Sequence, residues 1–423
     1  SPRISWQIYE DRAIIMNHSD FTDIALNRDG GLVLKKIATG ADSFSREELS
    51  FIKELEKLHI VVSANSPENE SKNPESQRIE KTSVKYDVFE SIKKYTSDKI
   101  IPLTAIIELT YRCDMKCPHC YIGEDRTNPV HLSLSRIKKF LHEFRKSGGL
   151  YVVFTGGDPL LHPDFPEIFY ECRKLYLAVT ILSTAQNFDK KFFGKMAENG
   201  LFSFQISFHG METAHDNFTG KKGAFKKSIR CLEFLRDKGV FAQAALNIHS
   251  ESIQDFKDMV NFFSDRNLPF VFNYTFYPDR KGNRKPEKIN ISKKQLEDCL
   301  KFNKPQLIPR FAEKKPEDPP CDAARNLLSL SPEGDVYPCL EIRKPAGNIK
   351  KESFPFIWKN SPVLKQIRQI KTADISACTN CDLKRYCNRC SGRALNIDGK
   401  LTGISSYDCK YAEALKSCDN SGI

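Results

Sequence analysis

The sequence has no apolar run of about 18 residues, the length that a membrane-spanning helix requires. Its first residues, SPRISWQIYEDR, lack the apolar segment of a secretory signal. It contains no RNA- or DNA-binding motif, although its net charge is +11, and the positive charge is spread out, being densest in residues 280–294. The sequence therefore predicts a cytoplasmic protein without membrane or nucleic-acid partners, whose basic segment is a solvated loop or attracts an acidic peptide.

Cysteine, by contrast, is abundant, with 14 residues. In a reducing compartment, cysteines at short, regular spacings indicate metal ligands rather than disulfides. Ten or eleven of the 14 stand in such groups. Three others, Cys172, Cys231 and Cys299, lie in amphipathic helical stretches, where free cysteine behaves as a small apolar core residue.

Residues 1–66 are predicted to form a small α+β unit with two helices, the second opening with a capping box from Ser45 to Glu48. Its predicted strands are Ile4–Tyr9, Ala13–Met16 and Asp23–Leu26. Residues 67–100 are predicted to hold a linker and a lead-in helix. The polar stretch at 64–84 reads as a linker, or else as an ordered surface loop. As a linker, it predicts few contacts between the N-terminal unit and the rest of the chain.

Residues 101–277 alternate between apolar runs and amphipathic helical stretches. Six βα units in series predict a parallel sheet, either open and doubly wound or closed into a partial barrel. The six predicted strands are Leu103–Leu109, Tyr151–Phe154, Ala178–Leu182, Phe204–Phe208, Phe241–Ile248 and Phe270–Phe276. Residues 278–320 are predicted to be a connector, and residues 321–423 form a cysteine-rich region.

Directly after the first of these strands, Cys113, Cys117 and Cys120 form a C-x3-C-x2-C motif. Three thiolates on one loop can bind three irons of a [4Fe–4S] cluster and leave the fourth iron open to a small molecule. The alternative is a structural zinc site, which needs four ligands and could take His119 as the fourth.

The segment ELTYRCDMKCPHCY resembles the motif of radical S-adenosylmethionine (radical SAM) enzymes, and further matches follow at the ends of later strands. The resemblance implies an α/β fold with a partial (β/α)6 TIM-like barrel, in which Cys113, Cys117 and Cys120 are catalytic. It implies that Asp158 contacts the methionyl amine. It also implies S-adenosylmethionine contacts from the residues His119, Tyr121, Gly156, Gly157, Asp158, Ser183, Ser207 and Asn247.

Three positions depart from that family pattern. His119 replaces the usual aromatic residue, although it can still stack on adenine, and His209 stands where many relatives have Asp. Thr219 occupies a place where relatives often carry an arginine that clamps the cofactor carboxylate.

The C-terminal cysteines resemble the SPASM extension of radical SAM enzymes, which holds two auxiliary [4Fe–4S] clusters. The resemblance assigns two ligand sets, Cys378, Cys381, Cys387 and Cys409 for one cluster and Cys321, Cys339 and Cys390 for the other. Either Cys418 completes the second set or one of its irons stays open. The Cys387-x2-Cys390 spacing is shorter than usual, and a pair of zinc knuckles is the alternative.

Residues 1–66 resemble the winged-helix-like leader-recognition domain of enzymes that modify ribosomally made peptides. The resemblance implies a leader peptide bound by β-strand addition, although the unit could instead be a stabilising appendage. We therefore expect a peptide maturase that forms a thioether or carbon–carbon crosslink or epimerises a residue, with flavodoxin or ferredoxin as electron donor. The alternatives are an enzyme like the anaerobic sulfatase maturases or the quinone-cofactor enzymes, or a non-catalytic metal scaffold or redox sensor.

Overall fold

The first three strands of the chain form a sheet of their own. The computed structural model describes residues 3–10, 12–18, 22–41, 43–57, 60–61, 88–127, 130–302, 311 and 314–420. The N-terminal sheet is antiparallel, in the order β1 (Ile4–Ile8), β2 (Arg12–Asn17) and β3 (Thr22–Asn27). Two helices follow, α1 (Arg28–Ala38) and α2 (Arg46–Lys57). The three predicted strands and two predicted helices are confirmed.

The capping box predicted at the start of α2 is also present. The Glu48 backbone N–H donates to the Ser45 hydroxyl at 3.1 Å, and the Ser45 N–H donates to the Glu48 carboxylate at 2.8 Å. The predicted linker at residues 64–84 lies outside the described residues. The lead-in helix is α3 (Val88–Asp98).

The central part of the chain forms six parallel strands that pair in sequence order. These strands are β4 (Thr104–Thr110), β5 (Tyr151–Gly156), β6 (Ala178–Ser183), β7 (Ser203–Phe208), β8 (Phe241–Asn247) and β9 (Phe270–Asn273). The helices between them are α4 (Leu134–Lys146), α5 (Phe165–Lys174), α6 (Lys190–Glu198), α7 (Glu212–Thr219), α8 (Ala224–Asp237) and α9 (Phe256–Asp265). The predicted α/β class and partial barrel are confirmed.

The two faces of this sheet differ because strand side chains alternate. One face packs on the helices and builds the main core, with Phe154 and Phe204 fully buried. The other face carries many polar side chains, some buried like Glu108 and others half buried like Gln205 and Ser207. On it, Gln243 donates to the Gln205 side chain at 3.0 Å. The inner face of the barrel therefore offers amide and hydroxyl groups rather than a second apolar core.

The C-terminal region extends the barrel sheet instead of standing apart from it. Strand β10 (Leu327–Leu330) pairs in parallel with β4, and β11 (Asp335–Tyr337) and β12 (Gly347–Asn348) continue the sheet in antiparallel fashion. The prediction of a cysteine-rich C-terminal domain did not include this shared sheet. As a result, the segment carrying Cys321 and Cys339 is tied to the strand that precedes the C-x3-C-x2-C loop.

The remaining helices cover the end of the chain. They are α10 (Lys293–Phe302), α11 (Phe354–Asn360), α12 (Pro362–Arg368), α13 (Ser391–Asp398) and α14 (Ser406–Asn420). Helix α10 packs on α14, so the predicted connector at 278–320 includes a helix that joins the C-terminal region. No helix within the described residues combines the length and apolarity needed to cross a membrane.

The N-terminal sheet packs against the amino-terminal ends of the barrel strands. Tyr9, Ile14 and Met16 share a buried apolar cluster with Leu150 and Ala178, which stand at the starts of β5 and β6. The expectation of few contacts between this unit and the barrel is therefore wrong.

Polar contacts reinforce this interface. Arg173, at the end of α5, donates to the Ile4 carbonyl at 2.7 Å and to the Ser5 hydroxyl at 2.8 Å. A ring nitrogen of His18 lies 3.0 Å from the Gly200 carbonyl. The N-terminal unit thus sits at the end of the barrel opposite to the carboxyl ends of the strands.

Candidate active site

The C-x3-C-x2-C loop lies at the carboxyl end of β4. Cys113, Cys117 and Cys120 are free and partly exposed. Helix α7 supports the loop: the Lys116 backbone N–H donates to the carbonyl of Thr219, at the end of α7, at 2.8 Å. Thr219 therefore supports the loop through its backbone, and its hydroxyl bonds within α7.

The three thiols are close enough to oppose one another's ionisation. Burial raises the pKa of Cys113 to about 12, and the nearby Asp158 and Cys120 raise it further. Burial, followed by Cys113 and Cys120, also raises the pKa of Cys117. Coordination to cationic iron removes this opposition, because a metal stabilises the thiolate form. Three sulfur donors on one loop therefore fit a [4Fe–4S] cluster with one open iron.

The turn after β5, Thr155–Pro159, presses against the start of this loop. Gly156 has a φ of +120°, and a Cβ there would lie 2.2 Å from the Thr110 carbonyl oxygen. A Cβ on Gly157 would lie 2.2 Å from the Arg112 carbonyl oxygen. Both glycines are thus required for the turn to approach the loop backbone. Their predicted contact with S-adenosylmethionine stays a prediction.

Asp158 ties the ends of β5 and β6 together. Its carboxylate is fully buried and accepts hydrogen bonds from the Ser183 hydroxyl at 2.9 Å, the Thr184 hydroxyl at 2.5 Å and the Leu160 N–H at 3.0 Å. Burial raises the pKa of Asp158, while these hydrogen bonds lower it. Protein donors thus already serve both oxygens, and the Ser183 hydroxyl is directed at Asp158. The predicted contacts of both residues with the cofactor remain predictions.

The half-buried His119 of the cysteine loop and three buried histidines form a group that we call the histidine layer: His119, His209, His215 and His249. The His119 and His209 rings lie 4.8 Å apart, and Phe218 stacks on both His209 and His249. Burial lowers the pKa of His119 to about 3 and that of His249 to about 4, so the rings are neutral at neutral pH. In each of the four rings, one buried nitrogen lacks a hydrogen-bond partner among the described residues.

Two predicted cofactor contacts lie on the neighbouring strands. Ser207 is half buried on β7. Asn247, near the end of β8, donates to the Phe208 carbonyl at 3.3 Å and accepts from the Asn273 side chain at 3.0 Å. The structure thus brings Ser207 and Asn247 to the same edge of the sheet as the cysteine loop.

Tyr121 belongs to a buried network that the sequence did not reveal. Its hydroxyl donates to Glu108 at 2.9 Å, and Arg343 donates to both oxygens of the same carboxylate at 2.7 and 2.8 Å. Tyr111 donates to Glu333 at 2.8 Å nearby. Tyr121 directly follows Cys120, and Arg343 stands four residues after Cys339. This network therefore joins the C-x3-C-x2-C loop to the C-terminal region. The signal available in the sequence was a glutamate, Glu108, inside the mostly apolar predicted strand Leu103–Leu109.

The C-terminal cysteines lie near the members of their own predicted ligand set. Burial raises the pKa of Cys339 to about 12, and the nearby Cys321 and Cys390 raise it further. Burial likewise raises the pKa of Cys387, and the nearby Cys409, Cys378 and Cys381 raise it further. Their roles as cluster ligands stay predictions.

Cys418 was predicted as a possible fourth ligand of the set that contains Cys339. It lies on α14, and its thiol donates to the Glu297 carbonyl of α10 at 3.8 Å. Burial raises the pKa of this thiol. Its role as a ligand stays a prediction. The three cysteines predicted to be core residues, Cys172, Cys231 and Cys299, are indeed buried.

Two family models match the chain. Residues 107–263 match the radical SAM superfamily, and residues 321–382 match SPASM, an iron–sulfur cluster-binding domain. The first match includes Cys113, Cys117 and Cys120. The second ends before Cys387, Cys390 and Cys409, so their assignment as cluster ligands stays a prediction.

Curated relatives and solved structures extend this comparison. The chain is 28% identical over 313 residues to the antilisterial bacteriocin subtilosin biosynthesis protein AlbA of Bacillus subtilis, covering 70% of this chain and 68% of AlbA. It is 25% identical to an AdoMet-dependent heme synthase of Oleidesulfovibrio alaskensis, over 69% of this chain and 83% of the synthase. The fold matches that of Streptococcus suis SuiB bound to its precursor peptide SuiA, with a TM-score of 0.63 and 17% identity, over 97% of this chain and 99% of SuiB.

Proposed function

Because this chain belongs to the radical SAM superfamily and carries a SPASM domain, we propose that it modifies a ribosomally made precursor peptide. The cofactors are S-adenosylmethionine and [4Fe–4S] clusters, one held by Cys113, Cys117 and Cys120 and two by the C-terminal sets. When bound, the catalytic cluster and S-adenosylmethionine supply a 5′-deoxyadenosyl radical, which abstracts a hydrogen atom from the substrate. We propose a crosslink or an epimerisation as the product.

The chain's own residues prepare the site for this chemistry. The loop supplies three thiolates from fixed backbone positions, and Gly156 and Gly157 allow the turn after β5 to support it. The buried carboxylate of Glu108 holds Tyr121 and Arg343 together and so fixes the loop relative to the C-terminal region. The half-buried polar inner face of the sheet is where we place the substrate.

The observation that carries the peptide assignment is the exposed edge of the N-terminal sheet. Its β1 edge is covered by the barrel, since Ser5 is fully buried and Arg173 donates to the Ile4 carbonyl. The other edge, β3, pairs with no further strand among the described residues, and its Ala25 is exposed. An uncovered edge strand accepts an extended peptide as an additional strand. We therefore assign leader binding to β3, beside helix α3.

A charge placed on this edge tests the assignment. Ala25→Asp adds a carboxylate to the exposed face of β3, whereas Ile24 and Leu26 keep their packing in the unit's core. We expect weaker leader binding by fluorescence anisotropy and less peptide modification by mass spectrometry. Ser50→Asp, on the exposed surface of α2, is the matched control and should change neither.

Two outcomes would contradict the proposal. Equal leader binding by the Ala25→Asp and Ser50→Asp variants would show that β3 is not the binding edge. Conversion of a tetrapyrrole, with the precursor peptide left unchanged, would replace the peptide assignment with the activity named for the heme synthase relative.

A further inference from the structure

The histidine layer contains a ring that the proposed function does not use. One ring nitrogen of His209, one of His119 and the Cys117 sulfur all lie within 4.8 Å of one another. His209 is only 2% exposed. Its Nδ1 atom is buried and has no hydrogen-bond partner among the described residues.

The surrounding residues fix the position of this ring. The His209 backbone N–H donates to the Nδ1 atom of His215 at 3.2 Å, and the Nε2 atom of His249 lies 3.2 Å from the His209 carbonyl, to which it donates. Phe218 stacks on the imidazole with ring centroids 4.6 Å apart. The ring is therefore held in place by the hydrogen bonds of its backbone and by the face of Phe218, and its Nδ1 atom is left without a hydrogen-bond partner among the described residues.

A neutral imidazole carries its one N–H group on either ring nitrogen. In the tautomer with the proton on the buried Nδ1 atom of His209, leaving that N–H without an acceptor costs about 1–3 kcal/mol. The sulfur of Cys117 is the nearby atom that becomes a strong acceptor when it is a thiolate bound to iron. Ligands of metal centres commonly take part in hydrogen bonds with neighbouring groups, and hydrogen bonds to cluster sulfurs help to set the reduction potential.

We propose that His209 is a positioning residue that donates its N–H to the Cys117 thiolate when the catalytic cluster is bound, and so raises the reduction potential of that cluster. The donor stabilises the reduced cluster more than the oxidised one, because the reduced form carries more negative charge. The inference rests on the proposed cluster at Cys113, Cys117 and Cys120 and goes beyond it by assigning the tuning group.

Redox titration of the anaerobic protein, followed by electron paramagnetic resonance without any peptide, tests this inference. The signal that disappears in a Cys113→Ala variant identifies the catalytic cluster, and the remaining signals serve as internal references. His209→Phe keeps an aromatic ring against Phe218 but removes the donor, and His209→Gln restores an N–H.

In His209→Phe, we expect the ratio of reduced to oxidised catalytic cluster at a fixed potential to fall about tenfold, which is about 59 mV for one electron. The auxiliary signals should not move, and His209→Gln should recover at least half of the shift. An unchanged midpoint in His209→Phe at normal iron content overturns the inference. Loss of the catalytic signal in both variants also overturns it, since His209 would then be needed to form the cluster.

The outcome is separable from that of the proposed function. Failure to modify a peptide leaves the measured potential untouched. If Cys113→Ala removes no signal, the cluster assignment itself is wrong.

Discussion

The ion pair between Glu108 and Arg343 leads to a quantitative prediction. Glu108 has 0% side-chain exposure and Arg343 16%, and their two hydrogen bonds are 2.7 and 2.8 Å long. Among the described residues, Arg343→Met leaves the buried Glu108 carboxylate with the Tyr121 hydroxyl as its remaining hydrogen-bond donor. Breaking a buried pair in this way costs about 3–5 kcal/mol. In a chain of 423 residues, whose unfolding entropy is roughly 0.9 kcal/mol/K, that loss lowers Tm by roughly 3–6 °C.

The assay is thermal unfolding of Arg343→Met, Glu108→Gln and the double variant, completed as a double-mutant cycle. The double variant should recover most of the loss, because no buried charge remains without a partner. Lys94→Met is the control, since it removes an exposed pair with Asp98 and should cost under about 1 kcal/mol. An Arg343→Met protein as stable as this control would refute the role given to the buried pair, as would a double variant that loses the sum of the two single effects.

Three further predictions concern other parts of the chain. Asp158→Ala should lower the free energy of unfolding by roughly 1–3 kcal/mol, because Ser183 and Thr184 lose their shared acceptor, and should also weaken S-adenosylmethionine binding. Calorimetry with and without the cofactor measures both effects, and unchanged stability would contradict the prediction. Burial lowers the pKa of His18 to about 3, so protonation of the unfolded chain below about pH 6.5 lowers stability by up to about 1.4 kcal/mol per pH unit. Between pH 7.5 and 5, Tm should therefore fall less steeply in His18→Gln than in the wild type. Because the N-terminal unit sits at the far end of strands such as β5, which has 6 residues, a precursor with fewer than about six residues between its bound leader and its modified residue should stay unmodified by mass spectrometry.

The sequence predicted the parts of the fold that depend on local patterns. Alternation of apolar runs with amphipathic stretches placed all six barrel strands, and the cysteine spacing placed the catalytic loop at the end of β4. Both features depend on residues close together in the chain, where side-chain period and spacing carry the information.

Non-local packing was not predicted. Strand β10 has only four residues, LLSL, and its pairing with β4 joins segments more than 200 residues apart, so no local pattern could specify it. The docking of the N-terminal sheet did leave a signal. Residues Ala13–Met16 are apolar at every position, as in a strand covered on both faces. Ile14 and Met16 face the barrel, while Ile15 faces the core of the N-terminal unit.

This interface changes what deleting residues 1–66 should do. A free-standing appendage could be removed without harm, but removing this sheet uncovers Leu150 and Ala178 at the base of the barrel. The edge-strand variant Ala25→Asp is therefore a cleaner test of leader recognition than truncation.

The most direct test of the proposed chemistry is the release of 5′-deoxyadenosine by the anaerobically reconstituted protein with S-adenosylmethionine and dithionite. The wild type should contain about twelve irons, on the count of three cubane clusters, and should release the product. Replacement of Cys113, Cys117 and Cys120 by Ala should remove about four irons, leave the auxiliary clusters in place and abolish the product. Product release undiminished in the triple variant would contradict the assignment of the catalytic cluster, and near-stoichiometric zinc that survives reconstitution would contradict the cluster assignment of the C-terminal cysteines.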